Sequence, residues 1–122
     1  MPDILIVEDN ADLLSVLVSL LDLYGHSVVA ASNYEEALAA IERQKPQLAV
    51  LDYHLSARGQ GLGLLEVIRA TPELADTRVI MISGLDATDE TMTRGADGFL
   101  QKPFDLDDLL AEMARLGLET EV

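Results

Sequence analysis

The run Leu48-Ala49-Val50-Leu51 is apolar without alternation and closes on Asp52. A strand with no polar face must be covered on both sides, which is the habit of parallel sheets sandwiched between helices. Such a strand delivers its terminal carboxylate to the carboxyl edge of the sheet, where open α/β folds bind ligands. Asp52 is therefore a candidate reactive residue, although taken alone it could equally cap a helix or sit solvated in a loop.

The rest of the chain repeats the same plan. Ile4 to Val7 is a short apolar run ending in Glu8-Asp9 and reads as a first buried strand. Asp9 or Asn10 can cap a helix from about Ala11 to Tyr24, which Gly25 stops. In that helix Leu13, Leu17, Leu20 and Tyr24 form the expected core stripe. A second stripe, Leu14, Val18 and Leu21, makes the apolar face wider than sheet packing needs, and we expect it to be a contact surface for a partner helix or a second copy. Ser27 to Ala31 reads as a second strand. Asn33 with Glu36 three residues on is a capping-box pattern, and the helix behind it carries Ala37, Leu38 and Ile41 before Pro46.

After the Asp52 strand, the turn-rich loop Ser56 to Gly61 leads into a helix from Leu62 to Ala70, broken by Thr71-Pro72. Val79 to Ile82 is a fourth strand ending at Ser83-Gly84. Asp86 to Arg94 is a short polar helix before Gly95. Phe99-Leu100 centres a fifth strand with Lys102-Pro103-Phe104 directly behind it. Asp105 or Asp107 opens a last helix carrying Leu109, Leu110, Met113 and Leu116. Strand then helix, repeated with short connections, predicts a single α/β domain: a doubly wound, five-stranded parallel sheet of order 2-1-3-4-5, with helices on both faces.

Bulk properties narrow the function. The 122 residues suit one domain with one core. A formal charge of −14 disfavours contact with nucleic acid or an anionic membrane. The absence of cysteine removes thiolate metal sites and thiol catalysis and fits a reducing compartment. No basic-then-apolar signal region opens the chain and no run reaches the roughly 20 residues of a membrane span, so the expected location is the cytoplasm.

The predicted topology brings five side groups to one sheet edge: Glu8 and Asp9 after strand one, Asp52 after strand three, Ser83 after strand four and Lys102 after strand five. Strands one and three are neighbours at the switch point, so three carboxylates crowd one place and need a cation. An oxygen-only ligand set favours a hard, partly hydrated ion such as Mg²⁺, with Mn²⁺ an acceptable substitute. A carboxylate beside Mg²⁺ and the Lys102 ammonium is a plausible nucleophile toward phosphorus, and Ser83 could hydrogen-bond a phosphoryl oxygen.

These residues, Ile4-Leu5-Ile6-Val7-Glu8-Asp9-Asn10, Leu51-Asp52-Tyr53, Ser83-Gly84 and Gly95 to Phe104, together resemble the receiver domain of bacterial two-component response regulators over essentially the whole chain. The resemblance implies that Asp52 is the phosphoacceptor and that Glu8 and Asp9 are the acidic pair holding Mg²⁺. It implies that the main-chain carbonyl of His54 completes the protein ligands and that Lys102 contacts the phosphoryl group. It also makes Ser83 the switch hydroxyl, Phe99 the switch aromatic and Pro103 a cis-proline. His54, two residues past the acceptor, stands where the family tunes phosphoryl loss. Two departures stand out. Ser56 replaces a common proline in a loop one residue longer, a form that looks like receivers attached to hybrid histidine kinases. Ser83 to Gly95 spans 12 residues, about three fewer than usual, which shortens the fourth helix by roughly one turn.

The expected function is two-component signal transduction. A histidine kinase or phosphotransfer protein donates a phosphoryl group to Asp52, self-hydrolysis slowly removes it, and the change switches binding of a downstream protein or the chain's own output domain. A homodimer is compatible with this. The chain would catalyse its own phosphorylation and dephosphorylation without turning over an external substrate. The rivals are a degenerate receiver used only for docking and a small aspartate-nucleophile phosphatase. The latter needs a general-acid Asp where His54 stands.

Overall fold

The computed structural model describes residues 3–55 and 60–118. The elements are β1 (Asp3–Val7), α1 (Ala11–Leu23), β2 (Ser27–Ala31), α2 (Tyr34–Gln44), β3 (Leu48–Asp52), α3 (Gln60–Ala70), β4 (Arg78–Ser83), α4 (Thr88–Thr93), β5 (Gly98–Gln101) and α5 (Leu106–Arg115), with one 3₁₀ turn at Pro72–Leu74. All pairings are parallel and the strand order is β2-β1-β3-β4-β5. This is the doubly wound sheet expected from the strand and helix alternation.

Alternate strand residues point to opposite faces, and both faces are dry. Leu5, Val7, Ala49, Leu51, Val79 and Met81 face the helices α2 and α3, where Ala37, Ile41, Leu64, Leu65 and Ile68 meet them. Ile4, Ile6, Leu48, Val50, Ile80 and Ile82 face α1 and α5, against Leu17, Leu21, Leu109 and Met113. Strands β1, β3 and β4 are thus apolar on both sides, the reason their sequences do not alternate.

The helix ends follow local chemistry. Asn10 Oδ1 accepts from Leu13 N (3.0 Å) and caps α1. Asn33 does the same for α2 through Glu36 N (2.9 Å), and Glu36 reaches back to the amide of Ser32 (2.9 Å). Asp105 and Asp108 form a reciprocal capping box on α5. By contrast α4 has only six residues, and its N-cap, Ala87, supplies no side-chain cap.

Helix α1 turns neither of the two expected stripes wholly toward the sheet or wholly toward solvent. Leu21 is fully buried, and Leu14 and Val18 are half-buried against the same cluster. Leu13, Leu20 and Tyr24, expected in the core, are only half-buried, and Tyr24 is the C-cap rather than a helical residue. The helix is turned so that Leu17 and Leu21 point at the sheet. Its exposed apolar side chains are Val16 (51%) and Leu23 (79%). An apolar band this wide leaves the rotation of the helix undetermined from pattern alone, because either stripe could face inward.

Candidate phosphoacceptor site

The carboxyl edge of the sheet gathers the expected groups. Asp52 is the last residue of β3 and is paired in register with Ile82, while Val7, the last residue of β1, pairs with Leu51. Glu8 and Asp9 therefore follow β1 alongside Asp52. One carboxylate oxygen from each of Glu8, Asp9 and Asp52 lies within 4.8 Å of the others, and among the described residues this is the one such cluster with the donors for a metal.

Burial makes the cluster electrostatically costly. Glu8 is fully buried and Asp52 nearly so, while Asp9 is exposed. Glu8 is held on two sides: its Oε2 accepts from the amide of Asn10 (3.0 Å), and its Oε1 pairs with Lys102 Nζ at 2.8 Å. Lys102 Nζ also lies 3.6 Å from Asp52 Oδ2. The second oxygen of Asp52, Oδ1, accepts from the amide of His54 (3.1 Å). Burial, and then the neighbouring Glu8, push the Asp52 carboxyl up to about 7, against the pull of Lys102 and the His54 amide. Burial works against the Lys102 ammonium, but Glu8 and Asp52 outweigh it and hold the lysine above its ordinary value.

A single ammonium thus faces two inward carboxylates, with a third at the mouth. That excess of negative charge is what a divalent cation would relieve, and an all-oxygen donor set with one solvent-exposed member suits a hard, partly hydrated ion. The residues present fit Mg²⁺.

The remaining groups surround this cluster. Ser83 is the last residue of β4 and fully buried; its Oγ accepts from Leu85 N (3.0 Å) and its carbonyl accepts from Lys102 N (2.7 Å). Lys102 follows β5 directly, and the Lys102–Pro103 peptide bond is cis. Phe99, in β5, is half-buried and packed against the α2/α3 side of the core. Ser56 to Gly59, the altered part of the loop after β3, lie outside the described residues.

Two residues of the site were not anticipated. Asn10 both caps α1 and holds Glu8 through its amide; the sequence marked it as a cap and as part of the run shared with the family, with no sign of the bond to Glu8. Gly61 packs against the backbone of Asp52 and Tyr53, and its only signal was a glycine at a helix start.

The response regulator receiver domain family matches residues 4–114. The chain belongs to this family. It is 37% identical over 122 residues to the nitrogen assimilation regulatory protein NtrX of Azorhizobium caulinodans, covering 97% of this chain and 26% of that protein. The receiver domain of NtrX from Brucella abortus superposes with a TM-score of 0.83 at 35% identity, covering 93% of this chain and 97% of that one. A Burkholderia pseudomallei response regulator crystallised with a phosphorylated aspartic acid, a calcium ion and citrate superposes with a TM-score of 0.82 at 28% identity, covering 92% and 66%. The chain spans about a quarter to a half of the length of the first relatives it matches. It is a receiver domain of the two-component type, and no helix among the described residues is long and apolar enough to cross a membrane.

Proposed function

We propose that Asp52 is the phosphoacceptor and that Glu8, Asp9, Asp52 and the main-chain carbonyl of His54 hold Mg²⁺. The observation that carries this is the placement of Asp52 between Glu8 and Lys102, with Asp9 at the mouth. When bound, the cation supplies positive charge against the three carboxylates and the incoming phosphoryl oxygens.

The chain's own groups supply the rest. Lys102, 3.6 Å from Oδ2, favours the ionised, nucleophilic form of Asp52. The His54 amide on Oδ1 orients the carboxylate and leaves Oδ2 to attack. A new bond forms between that oxygen and phosphorus as the phosphorus–nitrogen bond of a donor phosphohistidine breaks, and the imidazole leaves with its electron pair and takes a proton. Once the phosphoryl group is in place, Lys102 neutralises one of its oxygens and Ser83 exchanges its Leu85 amide for another. Phe99 rotates as Ser83 moves, which carries the change to β5. His54 borders the approach to Asp52 and sets how fast water removes the group.

The donor is a histidine kinase or phosphotransfer protein, and the recipient of the signal is a protein partner or an output domain on the same polypeptide. We place the exchange in the cytoplasm. The test is incubation with a small phosphodonor and Mg²⁺ followed by intact-mass measurement. Wild type gains one phosphoryl group and Asp52→Asn gains none; a modified Asp52→Asn, or an unmodified wild type, would overturn the assignment.

A further inference from the structure

The residue after the acceptor makes a contact that the phosphoryl chemistry does not use. Tyr53 is anchored by its amide, which donates to the carbonyl of Ile82 (2.8 Å), and its ring lies edge-on to His54 with centroids 4.8 Å apart. Its hydroxyl donates to Glu90 Oε1 at 2.5 Å, a bond that spans 37 residues of sequence. A phenol that donates to a carboxylate makes a charge-assisted bond, here at the solvent-exposed rim of the acceptor site.

Glu90 stands in the first turn of α4, the helix with the weakest support of its own. Six residues are far too few for a helix to persist in isolation, so tertiary contacts must hold it. Thr91 is buried, but its hydroxyl is engaged with the carbonyls of Ala87 and Thr88 inside the same turn. The ion pair Arg94–Glu66 is long, at 3.6 Å, and both side chains are exposed, which makes it a weak tie. The bond to Tyr53 is the side-chain hydrogen bond that joins α4 to the residue after the acceptor.

The surroundings make that link sensitive to charge. Tyr53 and His54 form one side of a groove of about 380 Å³ whose other side carries Asp86, Asp89 and Glu90. On its α3 side the backbone of Asp52 and Tyr53 is closely backed by Gly61, where even a Cβ would meet the Asp52 carbonyl and the Tyr53 Cα. A phosphoryl group brings close to two negative charges. Added one residue before Tyr53, it faces an acidic helix turn that the Tyr53 phenol ties to the acceptor loop.

We propose that the Tyr53–Glu90 bond is a latch through which the acceptor loop holds α4, and that phosphorylation of Asp52 releases it. This relay rests on Asp52 being the acceptor and runs beside the one through Ser83 and Phe99. It gives the short α4 a role as a responsive element.

Amide hydrogen exchange of residues 88–93, in the whole chain with and without a small phosphodonor and Mg²⁺, tests it. In the unphosphorylated state Tyr53→Phe and Glu90→Ala should each speed exchange in α4 roughly fivefold to tenfold while α5 is unchanged, and the double variant should add little. Phosphorylation should speed α4 exchange in wild type by a similar factor and leave it unchanged in the two variants. Intact mass reports acceptance separately. A wild-type α4 response in Tyr53→Phe and Glu90→Ala overturns the latch. If wild type gains no phosphoryl group, it is the acceptor reading that falls, and the latch is then judged by the unphosphorylated comparison alone, where wild-type protection in both variants overturns it.

Discussion

Gly61 lies so close to Asp52 that a Cβ at position 61 would sit 2.1 Å from the Asp52 carbonyl oxygen and 2.8 Å from Tyr53 Cα. The start of α3 therefore packs directly on the backbone that carries the acceptor. Both opposing atoms are main chain, so the clash cannot be relieved by rotating a side chain. Gly61→Ala should cost about 1–3 kcal/mol in denaturant unfolding and slow phosphorylation by a small donor, because the Asp52 carboxylate moves with its peptide. Gly63→Ala is the control: its Cβ would meet only the Tyr34 ring at 3.5 Å, and it should be neutral or stabilising by up to about 1 kcal/mol. Equal stability of the two variants would contradict this account.

Most of the fold was legible because the central strands are apolar on both faces and polar residues stand at or just after their ends: Glu8 after β1, Asp52 at the end of β3 and Ser83 at the end of β4. Leu48 to Asp52 and Ser27 to Ala31 have the bounds expected of them, and Ser83, expected just past the fourth strand, is its last residue. What stayed hidden are contacts between residues far apart in the chain. Arg69 donates to the carbonyls of Gly95 (2.8 Å) and Thr77 (2.8 Å) and pairs with Asp97 at 2.6 Å, tying α3 to the β5 approach. Nothing in the pattern around a lone arginine announces that role. The Tyr53–Glu90 bond was illegible for the same reason, and the orientation of α1 because its apolar band is broader than the face it buries.

The raised Asp52 carboxyl predicts a pH-dependent cost of the empty site. Burial and Glu8 bring it to about 7 in the folded protein, against an ordinary value of 3.8. Between those values the folded state keeps a proton that the unfolded chain releases, so metal-free stability falls as pH rises from about 4 to about 7, and the full cost persists above that. Asp52→Asn removes this slope. Without Mg²⁺ at pH 8 the variant should exceed wild type by something on the order of 2–4 kcal/mol in urea unfolding. The advantage should narrow at pH 5 and also when excess Mg²⁺ stabilises the wild type. A gap that is constant across pH would place the strain elsewhere.

Lys102 and the metal compete for the same charge. The ammonium meets Glu8 at 2.8 Å and Asp52 at 3.6 Å, so it offsets the carboxylates whenever no cation is present. Lys102→Met leaves the buried Glu8 without its ion partner, a change that typically costs about 3–5 kcal/mol. Added Mg²⁺ should recover much of that loss, and the variant should bind the ion more tightly than wild type, by roughly threefold to tenfold, because a repelling charge is gone. Thermal unfolding across a Mg²⁺ titration measures both effects. Phosphorylation should nonetheless be slower by about a hundredfold, because the stabilising donor to the phosphoryl oxygens is lost. A Mg²⁺-induced rise in melting temperature no larger than that of wild type would show that the two cations do not share a site.

The rotation of α1 is tested by a pair of leucines two residues apart. Leu21 is fully buried against the β1/β3 face with Leu17, whereas Leu23 is 79% exposed. Truncating Leu21 removes packed methyl groups and leaves a cavity bounded by strand residues that cannot collapse into it, so Leu21→Ala should cost about 2–5 kcal/mol. Leu23→Ala removes contacts mostly with water and should stay within about 0.5 kcal/mol of wild type. The two costs would exchange places if Leu14, Val18 and Leu21 faced solvent, so urea unfolding of both variants discriminates between the two orientations directly. Because Leu21 joins Ile4 and Ile6 in one cluster, the larger cost should also appear as faster amide exchange in β1, the strand that leads into Glu8 and Asp9.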